Sequence, residues 1–480
     1  MILNKEYYQN IFGVSDKDLQ ALTAEGLKEG GDYCDLYFED TFYCDLLLRD
    51  GDVNSGGSHL DFGCGVRVLA GEKTGYAYSE SADMQSLKAA ARCAGSIAAG
   101  IGSEMGPASP ANRYFGKPNP AADRYPMAGD WRTAPAADSV PWLKSIEDKI
   151  RAKDSRTQKV IAMLSSSVSD ILMYNSFEEL KYETRPLASI SITVIFQQDG
   201  KTDTVNVGRS LRMGTEFLSE ALADEIASEA VLGVDEHFQA RRPKGGQMPV
   251  VMAAGASGIL LHEAMGHAFE ADFNRKGQSI FTGKMGERIC NKGINIVDDG
   301  TLQANRGACN FDDEGVPGQK TYMVEDGILT SYLHDRVSAK WFGVAPTGNG
   351  RRESFRYNPI PRMRATYMES GSDGTLQDLI SSVKKGVYVD RFSNGEVKIG
   401  EGDFTFYVKS GFLIENGKLT MPVKDINIIG NGPQALADIQ AVAGDLKIDD
   451  GTWTCGKEQS VAVSCGIPSV LIKNLTVGGE

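Results

Sequence analysis

The sequence predicts an α+β protein of two domains: an N-terminal α/β domain of antiparallel strands flanked by helices, and a C-terminal, mainly antiparallel β domain that carries one chemically loaded helix. Three observations predict it. Before residue 235 the order helix, alternating strands, helix occurs twice, which suggests an internal duplication. Beyond residue 248, Asp326-Gly327, Asn394-Gly395 and Asn416-Gly417 each sit between alternating apolar runs and read as hairpin turns. Between the halves lies a basic stretch with Pro and Gly, QARRPKGGQM at 239–248. It divides the chain into 1–238, a linker at 239–247, and 248–480. At about 100–200 residues per domain, a chain of 480 residues has room for two or three.

In order, residues 15–28 predict a helix with Ser15 as N-cap and acidic residues in its first turn. In 60–68 the even positions are Leu60, Phe62, Cys64, Val66 and Val68, the pattern of a half-buried strand. A helix follows at 82–99. The stretch 102–141 is rich in Pro, Ala, Gly and Asn and reads as a long surface excursion, because the preceding pattern resumes after it. That resumption is a helix at 139–152, strands near 157–165 and 187–197, and a helix near 215–231. The second half opens on a strand at 248–253, a Gly/Ser turn, and a helix from about Ser257 to Asp272.

Charge and composition narrow the function. With 50 Lys+Arg against 64 Asp+Glu the net charge is −14, and there is no basic block, so direct binding to nucleic acid is disfavoured. The N-terminus has no basic stretch followed by an apolar core, and no run of about 18 apolar residues occurs, so neither export nor a membrane span is expected. Eight cysteines with no CxxC pair suit reduced thiols. A cytoplasmic protein is the expectation.

Histidine is scarce, five in all, and two of the five lie in His262-Glu263-Ala264-Met265-Gly266-His267. The zinc-protease pattern HExxH places its histidines four apart on one helical face, with Glu as general base. Here they are five apart, and at about 100° per residue they point about 140° from each other on a regular helix. We therefore expect a helical distortion or a helix end between Glu263 and His267, with Gly266 permitting it. The structural alternative is an apolar helix with two buried, hydrogen-bonded histidines. A catalytic zinc site has three protein ligands. The third could be His59, His237, His334, a carboxylate or a thiolate. Cys455, in GTWTCGKEQ, has a polar, flexible setting with Lys457 nearby, whereas Cys465 reads as core. Asp298-Asp299 and Asp312-Asp313-Glu314 read as turn residues with solvated carboxylates. The loop 346–352 (PTGNGRR) reads as a tight structural turn.

Several motifs run in register from about 245 to the end: HEAMGHAFEADFNRKG (262–277), VDDGT (297–301), DDEGVP (312–317), VAPTGNGRRES (344–354), VKKGVY (383–388), IGNGP (429–433), TCGK (454–457) and LTVGG (475–479). This ordered string resembles the TldD/PmbA family of metalloproteases, a family also labelled as modulators of DNA gyrase. Weaker similarity covers GEKTGYAYSE (71–80) and RPLASISITV (185–194). The resemblance implies one zinc ion per active subunit, with His262, His267 and Cys455 as ligands and Glu263 as catalytic base. Because the metal motif is present, the chain looks like the active, TldD-type branch. That branch is implicated in trimming leaders of modified microcins and in degrading unfolded antitoxin-like polypeptides. Met265, Ala268-Phe269 and the longer 102–141 excursion depart from the pattern.

The resulting expectation is a zinc-dependent peptidase acting on unfolded or extended polypeptides. Edge strands hold the substrate backbone, and His334 is a candidate oxyanion donor. The expected assembly is a dimer, either of two copies or with a PmbA-like subunit. The rival is a non-catalytic, metal-stabilised interaction subunit or regulator. A carboxylate beside a ligand discriminates between them, since a structural site has no use for one.

Overall fold

Local signals set most of the N-terminal elements. The computed structural model describes residues 4–100, 123–398 and 401–479. Helix α1 (Lys5–Phe12) is followed by α2 (Asp16–Gly26), which begins at a capping box between Ser15 and Asp18. The chain then forms β1 (Tyr33–Arg49), β2 (Asp52–Ala70), β3 (Lys73–Ser79) and α3 (Met84–Gly100). After the excursion come α4 (Val140–Lys153), β4 (Thr157–Asn175), β5 (Leu180–Gln198), β6 (Lys201–Leu211), α5 (Glu220–Val231) and α6 (Val234–Gln239). The six strands make one antiparallel sheet in the order β3-β2-β1-β4-β5-β6. Helices cover one face, giving two cores, one around Leu19, Leu22, Val66 and Ala91 and one around Leu143, Ile146, Ile190 and Ile226.

The other face of this sheet is polar, with Ser165, Ser167, Ser169, Ser189 and Ser191 half-buried along β4 and β5. At one end it meets the C-terminal region, and this contact changes the strand expected at 60–68. Residues Gly63–Leu69 are buried on both faces, whereas Leu60 is 70% exposed. Helices lie on one side, and Phe355 lies so close on the other that a Cβ at Gly63 would sit 2.3 Å from its Cε2. Of the excursion at 102–141, residues 102–122 lie outside the described residues. The remainder is less superficial than expected. Tyr125 and Trp131 are buried, and Arg124 donates to the carbonyls of Cys309 (2.7 Å) and Gly318 (3.1 Å).

In the C-terminal region, strands Lys385–Lys398, β7 (Gly246–Met252), Val470–Val477, Ile426–Asn431 and Asp403–Glu415 pair in a closed ring, the last returning to the first. Among the described residues two strand pairs in this region are parallel: β7 with Lys385–Lys398, and Ala365–Met368 with Ser464–Ile467. Asp326-Gly327 and Asn416-Gly417 turn hairpins as expected. Asn394-Gly395 does not. It lies inside Lys385–Lys398, where the register shifts and Gly395 lets the ring of Phe406 approach, 2.1 Å from where a Cβ would stand.

The acidic clusters also depart from expectation. Asp298, Asp299, Asp312, Asp313 and Glu314 are all buried. Glu314 accepts from Arg67 Nη1 at 2.6 Å, Asp313 pairs with Arg185, and Asp298 accepts from Asn349 Nδ2 at 2.6 Å and Thr366 Oγ1 at 2.8 Å. Two of these partners, Arg67 and Arg185, lie on the N-terminal sheet, so sequence neighbours do not announce them. Among the described residues no helix is long and apolar enough to cross a membrane.

Candidate metal centre

The chemically loaded helix is broken where the histidine spacing requires it. Residues expected to form one helix from Ser257 to Asp272 instead form a 3₁₀ turn at Ala256–Gly258, α7 (Ile259–Ala264), a second 3₁₀ turn at Gly266–Phe269, and α8 (Ala271–Arg275). The break is at Met265, whose φ of −137° and ψ of −37° leave the helical region. Gly266 packs closely against Met363: a Cβ there would lie 2.1 Å from its Sδ, so that side chain would have to shift. The turn after it is tied down by Asn274 Nδ2 and Ser279 Oγ, which donate to the Ala268 carbonyl at 2.7 and 2.6 Å.

This break turns His262 and His267 toward each other, with ring centroids 5.4 Å apart and ring planes at 76°. The third group is Cys455. Its setting is neither flexible nor open. It sits 4% exposed on the short strand Thr454–Lys457, paired with Gln459–Ala462 in a tight hairpin. Arg362, itself fully buried, fixes that hairpin by donating to the carbonyls of Cys455 and Gln459, each at 2.7 Å. One ligand atom each from His262, His267 and Cys455 lies within 4.8 Å of the others. Cys455 Sγ is 3.3 Å from His267 Nε2.

The donor set fits a metal. Both ring nitrogens of His262 are buried without a hydrogen-bond partner among the described residues, a cost that a ligand to His262 would remove. Burial alone raises the Cys455 thiol, but the imidazoles of His262 and His267 outweigh it and bring the group down to about 5. The thiolate is the form that binds metal. Two imidazoles and a thiolate are a borderline-soft set suited to zinc.

A further layer of charge supports the triad. His267 Nδ1 faces Glu270 Oε2 at 2.9 Å, which leaves Nε2 to face Cys455. Glu270 is fully buried. Burial would raise its carboxyl, but Lys457 first, then His267 and Arg362, pull it down to about 2. Lys457 Nζ lies 3.0 Å from Glu270 Oε2 and 2.8 Å from Asp272 Oδ1. Sequence reading gave Glu270 no role. Its signal was a carboxylate three residues after a ligand histidine, in helical register with it.

Glu263 follows His262 directly. Its side chain is 26% exposed, the one open group beside three buried ones, and its Oε1 is 4.0 Å from His262 Nε2. The remaining histidines are not part of the cluster of ligand atoms. His59 stacks on Tyr43, and His237 Nδ1 pairs with Asp203 at 2.7 Å. His334 is buried against Tyr332 and Phe342, and burial presses it down to about 4. Cys465 is buried, as its context predicts.

Comparison with known proteins agrees across the chain. Residues 34–98, 129–233 and 245–479 match the PmbA/TldA metallopeptidase domain 1, central domain and C-terminal domain. A relative from Haemophilus influenzae named "Metalloprotease TldD homolog" is 40% identical over 93% of both chains. One from Saccharolobus solfataricus, named "Zinc metalloprotease TldD homolog", is 33% identical over 61% of this chain and 65% of its own. Among solved structures, a Thermotoga maritima protein described as a candidate modulator of DNA gyrase is similar, with TM-score 0.77 and 22% identity, over 96% of this chain and 99% of that one. TldE from Thermococcus kodakarensis is similar with TM-score 0.71 and 19% identity, over 96% and 100%. At these identities the structural matches speak for the fold.

Proposed function

The chain belongs to the PmbA/TldD family of metallopeptidases, and on that footing we propose that it is a zinc-dependent peptidase cleaving unfolded or extended polypeptides. The observation that carries this is the buried His262–His267–Cys455 triad, with the nitrogens of His262 unpartnered and the half-open carboxylate of Glu263 beside it. The name of the archaeal relative supports zinc in particular.

His262, His267 and Cys455 would hold the ion. When bound, zinc supplies Lewis acidity for the scissile carbonyl and for water. Glu263 takes the proton of the attacking water on its carboxylate and returns it to the nitrogen of the departing amine, so it ends the cycle ionised again. Glu270 orients His267 through Nδ1, and Arg362 holds the Cys455 hairpin, so both act through the ligands.

The test is Glu263→Ala, with metal content measured beside cleavage of an unfolded peptide. We expect metal to be retained and cleavage to fall by at least about 10²-fold. Unchanged cleavage discards this mechanism, and a wild-type protein that holds metal but cleaves no peptide favours an interaction subunit.

A further inference from the structure

Among the described residues Lys457 is the one lysine that is buried, its side chain 4% exposed. Enclosing an ammonium is costly unless its donors are used. Here all three are. Nζ donates to Glu270 Oε2 at 3.0 Å, to Asp272 Oδ1 at 2.8 Å and to the Pro361 carbonyl at 3.2 Å. It also lies 4.3 Å from the centroid of the Phe273 ring. Three acceptors and a ring leave the ammonium one position.

That position joins the two segments that carry the metal ligands. Glu270, Asp272 and Phe273 follow His267, whereas Lys457 lies two residues after Cys455. On the strand Thr454–Lys457 burial alternates, so Cys455 and Lys457 project from one face and the exposed Thr454 and Gly456 from the other. The contacts close a ring. It runs from Cys455 along the backbone to Lys457, and from Nζ to Glu270 Oε2. The same oxygen faces His267 Nδ1 at 2.9 Å, and His267 Nε2 returns to Cys455 Sγ at 3.3 Å. His267 and Cys455 are 188 positions apart, so no local structure sets their separation. Among the described residues, the hydrogen bonds between 265–275 and 454–461 other than the His267–Cys455 contact are all made by Lys457. Arg362 reinforces the hairpin side, donating to the Cys455 and Gln459 carbonyls, with its Nε 3.8 Å from Glu270 Oε1.

We infer that Lys457 is a positioning residue: it straps the Cys455 hairpin to the turn bearing His267 and so sets how thiolate and imidazole are presented to a metal before one binds. Ligands held at the binding geometry lose less freedom on coordination, so the strap raises metal affinity. The inference rests on the triad being a zinc site and not on peptide cleavage. The rival role for Lys457 is charge balance alone, since Lys457 and Arg362 together match Glu270 and Asp272. The two roles separate when Lys457 and Asp272 are neutralised together. Arg362 then still faces Glu270 and the charges still balance, but the strap is gone.

The test reads metal binding without turnover, on full-length, metal-free protein below its unfolding transition. Zinc affinity is measured by competition with a chromophoric chelator. Cobalt(II) then replaces zinc, its visible bands reporting coordination geometry and its near-ultraviolet band the bond to the Cys455 thiolate. Lys457→Met/Asp272→Asn should bind zinc about 10- to 100-fold more weakly than wild type, the range seen when a group supporting a metal ligand is lost. Its cobalt bands should be weaker and shifted. Its metal-free form should unfold in urea near the wild-type midpoint, because removing both partners of a buried pair is often close to neutral. Lys457→Met alone leaves a buried carboxylate uncompensated, so the double variant carries the test if the single one does not fold. Asp272→Asn alone keeps Lys457 on Glu270 and should stay within about 3-fold of wild type. Wild-type zinc affinity in the double variant overturns the inference and leaves the zinc site standing. Weaker zinc binding with unchanged cobalt bands overturns it too, as does an equal loss in Asp272→Asn alone. A wild-type chain that takes up no zinc sinks the zinc reading, and the strap's role with it.

Discussion

In the N-terminal sheet, β4 and β5 pair from Thr157 against Phe196 to Tyr174 against Leu180 with a single register shift near one end. Around the metal centre the pieces are α7 of six residues, a 3₁₀ turn of four, α8 of five and two strands of four. The first region repeats one weak interaction many times, alternating apolar side chains against helices. The second depends on a few strong, mutually dependent interactions: the triad, the Glu270–Lys457 pair and the Arg362 clamp. Damage should therefore show as lost stability in the sheet and as lost chemistry at the site.

The largest effect is expected from Cys455→Ser. A serine at the same place offers no thiolate to a metal, so zinc content and peptide cleavage should both collapse, the latter by about 10³-fold or more. The urea midpoint of the metal-free protein should hardly move. Metal analysis, activity and urea unfolding on one preparation check all three. Cleavage persisting without metal breaks the contrast at its strong end.

The converse substitution is Ile190→Ala. Ile190 is fully buried among Leu143, Ile146 and Ile226. Removing its side chain should cost about 2–5 kcal/mol in urea unfolding, with metal content and kcat/KM unchanged below the transition. Arg306 Nη1 donates to Ser189 Oγ at 3.1 Å and its Nη2 to Thr454 Oγ1 at 3.2 Å, so a fall in kcat/KM at full folding would mean that the sheet tunes the site through this contact.

The same contrast explains how much could be read in advance. Ile190, Ile192, Val194 and Phe196 announce β5 by alternation, and Ser15 announces α2, because both signals are local. The broken helix at 265 was legible too, since histidines five apart cannot share a regular face. What could not be read was long-range partnership. Asp313 looks like a turn residue until Arg185, 128 positions away, is placed beside it. Cys455 looks open until Arg362 and His267 close over it. Asn394-Gly395 has the composition of a hairpin turn, and only the ring of Phe406 shows why the glycine is spent inside a strand. Glu270 was in view beside the histidine motif, yet its role depends on Lys457, 187 residues on.

Where the two regions meet, the comparison can be sharpened by pH. Glu39 of β1 is buried under Phe355, whose N–H donates to its Oε2 at 2.8 Å. Burial raises its carboxyl from 4.5 to about 7, against the hydrogen bonds from Thr41 and Phe355. Between these values the folded chain holds a proton that the unfolded chain has released. Its contribution to stability is therefore constant below about pH 4.5, falls as pH rises to about 7, and stays at its lowest above that. At about 1.4 kcal/mol per unit the penalty is on the order of 3 kcal/mol. Glu39→Gln should remove it, stabilising the protein at pH 8 relative to pH 5 in paired urea titrations. A difference between the two pH values that the substitution leaves intact would move the cause to other buried carboxyls, with Asp312 and Asp335 first.

The smallest effect should come from the most local signal. Capping boxes occur in both regions, among them Ser15 with Asp18 at the start of α2, and Asp335 with Ser338 at the start of the helix Arg336–Phe342. The first is exposed, with Ser15 N–H donating to Asp18 Oδ2 at 2.9 Å and Asp18 N–H to Ser15 Oγ at 3.3 Å. Ser15→Ala removes the side-chain acceptor but leaves the freed N–H open to water, so it should cost about 1 kcal/mol and nothing in activity. The second box is buried, and burial together with Glu314 raises Asp335 to about 6. There the freed N–H of Ser338 has no water to turn to, so Asp335→Ala should cost about 1–3 kcal/mol below about pH 4, where the raised carboxyl carries no ionisation penalty for the substitution to remove. Urea unfolding of the two variants at one pH gives the ratio directly. Equal costs would mean that burial adds nothing to a cap here, and that the two regions differ in geometry alone.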